Sequence, residues 1–144
     1  ALYLDEYDLY VFMDKGIAIK IEIYELDGLK LKLSEIIDHL GAPGKVFARA
    51  RPMSMVNGFA EVYVELYYPQ AGLIFQIHVP VETNGNNDPV TFCFHPDQLL
   101  DVITVVQPDS IANILRNTRS LTNLEIEKKI NMMIDWAGFS CISI

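Results

Sequence analysis

Strict alternation of apolar and polar residues is the feature that most constrains the fold of this chain. Between Ile17 and Tyr24 the four isoleucines occupy every second position, and Ala, Lys, Glu and Tyr fill the positions between them. Because successive side chains of a strand point to opposite faces, this period of two predicts a half-buried β-strand. Before it, Tyr7, Leu9, Val11 and Met13 likewise occupy every second position, and Asp14-Lys15-Gly16 offers a turn. The sequence therefore predicts an N-terminal β-hairpin.

A second hairpin is predicted in the middle of the chain. The segments Phe59–Tyr68 and Leu73–Val81 both alternate, and the turn residues Pro69-Gln70-Ala71-Gly72 lie between them. Lys45–Arg51 alternates more weakly. Further strand candidates are Val90–Phe94, Asp101–Val106 and the chain end from Phe139 to Ile144.

Three segments follow a helical pattern. Ser34 is a candidate N-cap for a helix over 34–40 that Gly41 ends, and Asp109 or Ser110 is a candidate cap for a helix over about 109–117. Residues 121–137 carry apolar side chains at helical spacing. The predicted fold class is α+β, a mainly antiparallel sheet of about five to seven strands with these helices packed on one face.

Length and composition favour a single globular domain over residues 1–144. A chain of 144 residues with 51% hydrophobic residues buries enough surface to fold without a metal or disulfide framework. The net charge of −8 argues against a nucleic-acid partner, because Lys and Arg supply most of the affinity for phosphate. The apolar runs are far shorter than the roughly 20 residues of a membrane helix, so no transmembrane segment is predicted.

The start of the chain and its two cysteines leave alternatives open. The chain begins at Ala1 without a signal-peptide pattern, which fits either a removed leader or a domain excised from a longer exported protein. Cys93 and Cys141 either form a disulfide in an oxidising compartment or are two small buried apolar side chains. The sequence does not decide the oligomeric state.

The polar face of the second hairpin is the most suggestive surface. The residues concerned are Glu61, Tyr63, Glu65 and Tyr67 on one strand, Gln76 and His78 on its neighbour, and Arg49 and Arg51 if the Lys45–Arg51 strand pairs alongside. Cross-strand pairs of this kind stabilise sheets, and tyrosine is enriched at protein interfaces. Carboxylates near a histidine also suit acid–base catalysis. We favour cross-strand pairing and protein contact, and assign no catalytic residue.

The last predicted helix adds two residues to this surface. Met132 and Trp136 are four apart and form a second apolar stripe, which is either a docking site or is covered by the tail from Phe139. Lys128 and Lys129 are expected at its solvated edge. The predicted interaction surface comprises Glu61, Tyr63, Glu65, Tyr67, His78, Met132 and Trp136.

No metal or cofactor is predicted. Cys93 and His95 face the same way on a strand but are only two ligands, and His39 or His78 would have to converge from elsewhere. No nucleophile or phosphate-binding motif has the required spacing.

A short stretch resembles a known family. The segments L-S-E-I-I-D-H-L-G-A-P-G-K-V from Leu33 and E-L-Y-Y-P-Q-A-G-L-I-F from Glu65 resemble the SmpA/OmlA-type outer-membrane lipoprotein domain, which is similar to the β-lactamase-inhibitor-protein fold. The resemblance covers Leu33–Val81. It implies a non-catalytic binding or assembly role in the bacterial envelope, outside the cytoplasm. The family's lipidated cysteine is absent, the N-terminal hairpin and C-terminal helices are additional, and no functional residue carries over.

Three function classes follow. We favour a protein-interaction or assembly module with an unidentified protein partner. The alternative is a small-ligand-binding domain with an apolar pocket between sheet and helices, between Ile17–Ile23 and the last helix. The third is a hydrolase-like enzyme that uses Glu61, Glu65 and His78.

Overall fold

A computed structural model gives the structure of the protein and describes residues 2–4, 8–24, 29–53, 58–84, 89–119 and 121–144. Within these residues, the main sheet has seven strands: β1 (Leu2–Leu4), β2 (Leu9–Asp14), β3 (Ile17–Ile23), β4 (Lys45–Pro52), β5 (Phe59–Tyr68), β6 (Leu73–Glu82) and β8 (Val102–Val106). The strands β7 (Thr91–Cys93) and β9 (Cys141–Ser143) form a separate pair. The helices are α1 (Leu33–Leu40), α2 (Ile111–Arg119) and α3 (Asn123–Asn131).

Every pairing in the main sheet is antiparallel, and the strand order is β1-β2-β3-β8-β6-β5-β4. Both predicted hairpins are confirmed, as β2–β3 and β5–β6. Tyr7, at the start of the predicted first hairpin, lies outside the described residues. The predicted α+β class with an antiparallel sheet is therefore confirmed.

The turn between β5 and β6 requires its glycine. Gly72 has a φ of 66°, and a Cβ added there would collide with the carbonyl oxygen of Val106. The close approach lets the Gly72 carbonyl accept a hydrogen bond of 2.8 Å from the Val106 N–H. This contact sets the position of β8 beside β6.

The helices lie on both faces of the sheet, so the expectation that they share one face is wrong. Leu33 and Ile36 of α1 pack with Leu66 on one face, together with the β7–β9 pair. Leu115 of α2 packs with Tyr67 on the opposite face, and so does α3. The physical reason is that Leu66 and Tyr67 are adjacent in β5, point to opposite faces and are both fully buried, so each face needs a cover.

The helix boundaries differ from the sequence expectation at two places. In α1 the cap is Lys32, whose N–H donates to the Glu35 carboxylate at 2.8 Å, and Ser34 lies inside the helix. The last helix is nine residues long and does not extend to residue 137, because the backbone of Ile134 exchanges two hydrogen bonds of 2.9 and 2.8 Å with Val46 of β4. Pairing with the sheet edge thus replaces further helical turns.

The helix predicted over about 109–117 is confirmed as α2. The N–H of Ser110 donates to the Asp109 carboxylate at 2.6 Å, and the Ser110 hydroxyl accepts from the N–H of Asn113 at 3.3 Å. Among the described helices, none has the length and apolar character needed to cross a bilayer.

The two cysteines form a disulfide, which decides between the alternatives that the sequence leaves open. Cys93 and Cys141 are 48 positions apart and join β7 to β9. Phe92 and Ile142, which are paired across these strands, pack on the core beneath. The bridge therefore holds the C-terminal strand β9 beside β7.

Removal of this bridge should destabilise the fold. For a closed loop of this length, chain entropy predicts that the Cys93→Ser/Cys141→Ser variant loses about 4 kcal/mol of the free energy of unfolding. Urea unfolding of the oxidised protein, the reduced protein and the double variant measures the difference. Equal midpoints for all three would contradict a stabilising role of the disulfide.

Candidate functional site

A buried carboxylate holds α2 and α3 on the sheet. Glu65 of β5 is only 8% exposed. One of its carboxylate oxygens accepts a hydrogen bond from Nη2 of Arg119, at the end of α2, at 2.6 Å. The other oxygen lies 2.6 Å from Nζ of Lys129, on α3, and accepts from the Tyr67 hydroxyl at 2.6 Å. Glu65 is thus shared by β5 and both helices.

The electrostatics of this cluster keep Glu65 ionised. Burial alone raises the pKa of Glu65, but the charges of Arg119 and Lys129 outweigh it and hold this pKa below its usual value. Burial and the neighbouring carboxylate raise the pKa of Tyr67, which stays a neutral donor. Burial lowers the pKa of Lys129 despite its pairing with Glu65. Burial and three bound partners thus give this carboxylate a structural role in joining the helices to the sheet.

Two residues of the predicted interaction surface are therefore inaccessible. Tyr67 is 0% exposed, and Glu65 is buried with it. The expectation that they present an open surface is wrong, because α2 and α3 cover this end of the sheet face. The cross-strand pairing of β4 with β5 is confirmed, with Arg49 opposite Tyr63 and Arg51 opposite Glu61.

The other end of the same sheet face carries a half-exposed polar cluster. The Tyr63 hydroxyl donates to the Glu61 carboxylate at 2.6 Å, and the Tyr63 ring contacts the His78 ring at a centroid distance of 4.4 Å. The His78 backbone N–H donates to the Asp101 carboxylate at 2.6 Å. The guanidinium groups of Arg49 and Arg51 lie 5.2 and 4.7 Å from the Tyr63 ring centroid. This geometry is that of cation–π and cross-strand contacts.

A groove runs between β4 and α3, next to this cluster. The cavity of about 310 Å³ is lined by Phe47, Arg49, Arg119, Leu121, Glu125, Lys128, Lys129 and Met132. Its apolar surface comes from Phe47, Leu121 and Met132, and the ammonium of Lys129 lies 4.4 Å from the Phe47 ring centroid. We call this cavity the β4–α3 groove.

The β4–α3 groove and Arg51 beside it form a basic region on an acidic protein. Of the residues that the structure describes, five of the chain's 11 Lys and Arg are here, against the carboxylates of Glu61, Glu65 and Glu125. The local balance is thus +2, whereas the chain carries −8. Within the described residues, neither Arg49 nor Arg51 forms an ion pair, so both charges are available to a partner.

Met132 and Trp136 do not form one stripe. Met132, just past the end of α3, is 58% exposed and lines the β4–α3 groove. Trp136 is half-buried against the core on the opposite face, where its ring contacts the rings of Phe94 and Phe139 at centroid distances of 4.9 and 5.8 Å. The reason is that the helix ends at Asn131, so helical spacing no longer relates the two residues. The alternative in which the tail from Phe139 covers Trp136 is the one observed.

The two lysines of α3 also differ. Lys128 is exposed at the rim of the groove, as expected, but Lys129 lies within the Glu65 cluster, so its expected place at a solvated edge is wrong. The sequence around Lys129 does not indicate burial, because its partner Glu65 is 64 positions away in the sequence.

A second cavity of about 540 Å³ lies between the β2–β3 turn and α2. Met13, Ile17 and Ile114 supply apolar lining, and Asp109 and Asn117 supply polar groups. The sequence predicts a pocket between β3 and the last helix; this cavity is formed with α2. Neither of the two cavities is lined by Glu61 or His78.

The disulfide removes Cys93 as a metal ligand beside His95. In the part of the chain that the structure describes, no three His, Cys, Asp or Glu side chains converge as a metal site would require.

Comparison with known proteins finds no matching family model, no matching curated protein and no matching solved structure.

Loss of the Glu65 charge should lower the free energy of unfolding far more than loss of the Glu61 charge on the same strand. Glu65→Gln leaves Arg119 and Lys129 without their buried counter-charge, so the free energy of unfolding should fall by about 3–5 kcal/mol. The matched control Glu61→Gln weakens one half-exposed hydrogen bond and should cost at most about 1 kcal/mol. Urea unfolding at pH 7 measures both.

The pH dependence gives the same test a second readout. The pKa of Glu65 is lower in the folded state than in the unfolded chain, so its contribution is present above pH about 4.3 and is lost as the pH falls further. The Glu65→Gln variant should therefore lose less stability than the wild type between pH 5 and 2. Equal costs for the two variants, or parallel pH profiles, would contradict the role assigned to Glu65.

Proposed function

We propose that this protein is a non-catalytic protein-interaction module, and that its partner docks on the β4–α3 groove and the adjoining face with Arg51, Tyr63 and His78. The observation that carries the proposal is the concentration of exposed arginine, half-exposed tyrosine and exposed methionine in one basic region of an acidic chain. Arg, Tyr and Met are the residue types enriched at protein interfaces.

The state of the carboxylates supports binding over catalysis. Glu65, one of three candidate catalytic residues, is ionised and engaged by two cations and a tyrosine. Glu61 accepts the hydrogen bond of Tyr63. The hydrolase-like alternative is thereby left with His78 and a carboxylate that already has a partner.

The disulfide supports a place outside the cytoplasm. Disulfides persist in oxidising compartments and are rare in reducing ones. The bridge between Cys93 and Cys141 is consistent with the bacterial-envelope role that the resemblance over Leu33–Val81 implies. We therefore propose an extracytoplasmic assembly role, with the envelope as the compartment.

Site-specific photo-cross-linking in the native source tests the docking surface. A photoreactive residue replaces Met132, which lines the groove, and a matched probe replaces Leu40 at the end of α1, on the opposite face. We expect one adduct of defined mass at position 132 and none at position 40.

Competition makes the result specific to the basic region. Excess wild-type protein should suppress the adduct, and an Arg49→Glu/Arg51→Glu variant should not, because its charge no longer matches the partner. If the charge-reversed variant competes as well as the wild type, or if position 40 captures the same partner, the proposal fails.

The second candidate function is small-ligand binding in the 540 Å³ cavity between the β2–β3 turn and α2. Its volume lies in the range of ligand sites, about 300–1,000 Å³, and its lining combines apolar side chains with a few polar groups. A ligand that binds there should raise the melting temperature of the wild type and have no effect on an Ala18→Trp variant, whose new side chain fills the cavity. A metabolite or fragment screen that stabilises both proteins equally, or neither, would count against this function.

A further inference from the structure

The sheet ends at β4, and among the described residues no strand pairs with one stretch of that edge. Val46 bonds outward to Ile134, and just past the strand the N–H of Met53 bonds inward to the carbonyl of Phe59. Backbone groups of successive residues alternate between inward and outward in an antiparallel ladder, so the N–H and C=O groups of Ala48 and Ala50 point outward. Within the described residues, neither alanine has a backbone hydrogen-bond partner on that side.

The ends of this free edge are defined. On one side, the Ile134 bridge occupies Val46, and the ion pair of Lys45 with Asp135 at 2.7 Å lies beyond it. On the other side, Pro52 has no N–H to donate. The stretch between them has room for one short extended segment of about five residues.

The side chains beside the free edge differ between the two faces. Arg49 and Arg51 stand on the groove face, whereas Ala48 and Ala50 are small, half-buried and packed against the core on the other face. Side chains of a strand added here would alternate in the same way. Carboxylates would lie beside the arginines, and apolar side chains would fit over the alanines.

Charge complementarity also selects the occupant. A second copy of β4 placed along this edge would bring its own Arg49 and Arg51 towards the same two cations, which is unfavourable. Charged residues and proline are common devices against self-pairing of edge strands. An acidic strand meets no such repulsion, and the basic surface that includes Lys128 attracts it further.

We propose that the free edge of β4 binds an extended acidic segment of a partner protein by strand addition, with carboxylates of that segment on Arg49 and Arg51. This inference rests on the proposed interaction function and names the chemistry of the partner. Backbone hydrogen bonds to Ala48 and Ala50 fix the register of the added segment, and the two arginines make acidic sequences bind in preference to others.

The probe is a fluorescein-labelled peptide that alternates valine and glutamate over seven residues, compared with the same peptide in which lysine replaces glutamate. We expect fluorescence anisotropy to show saturable binding of the glutamate peptide that weakens with salt, and no binding of the lysine peptide. Arg49→Gln/Arg51→Gln should weaken binding by about tenfold or more. The matched control Lys45→Gln, a cation of the same strand that is already paired with Asp135, should leave it unchanged.

Backbone methylation of the peptide tests strand addition without altering the protein. N-methylation of one alternate set of amides should abolish binding, because those amides face β4, and N-methylation of the other set should be tolerated. In the wild-type complex, the amide resonances of Ala48 and Ala50 should shift. Equal binding of both methylated peptides, equal binding to the arginine variant, or no binding of the glutamate peptide would overturn the inference.

Failure of strand addition can be told apart from failure of the proposed interaction function. If the peptides fail but position 132 still captures a partner that only the wild-type protein competes away, the interaction function stands and strand addition is wrong.

Discussion

The structure depends on the buried ion pairs that the Glu65 carboxylate forms with Arg119 and Lys129. This carboxylate lies on a strand beneath two helices, and its three partners come from β5, α2 and α3. A buried charge is costly unless its counter-charges are in place, so the sheet and both helices must assemble in one arrangement to satisfy it. That arrangement leaves the β4–α3 groove at the side of α3 and keeps Arg49 outside the cluster, where its charge is available.

The sequence predicts the strands well because their signal is local. The alternation in Phe59–Tyr68 and the turn ending at Gly72 suffice to place a hairpin, and the structure has it with the same first strand. The burial of Tyr67 is not local. In the alternating pattern of β5, Tyr67 lies on the same face as the polar residues Glu61 and Glu65. Only the packing of α2 and α3 on that face buries it.

The end of α3 shows the same limit. The apolar spacing continues to residue 137, but two backbone hydrogen bonds between Ile134 and Val46 stop the helix at Asn131. Those bonds join residues 88 positions apart, and the spacing of side chains carries no information about them. They also separate Met132 from Trp136 and fix where the free part of the β4 edge begins. A long-range contact thus shapes both the groove and the edge that we assign to a partner.

If Glu65 fixes α2 and α3 on the sheet, loss of its charge should loosen these two helices first, and hydrogen exchange of the Glu65→Gln variant, resolved by element, measures this. We expect the amides of α2 and α3 to lose more protection, relative to the wild type, than the amides of β5 and β6, whose protection falls only as far as the global free energy of unfolding does. A uniform loss across helices and strands, or unchanged protection in both helices, would contradict it.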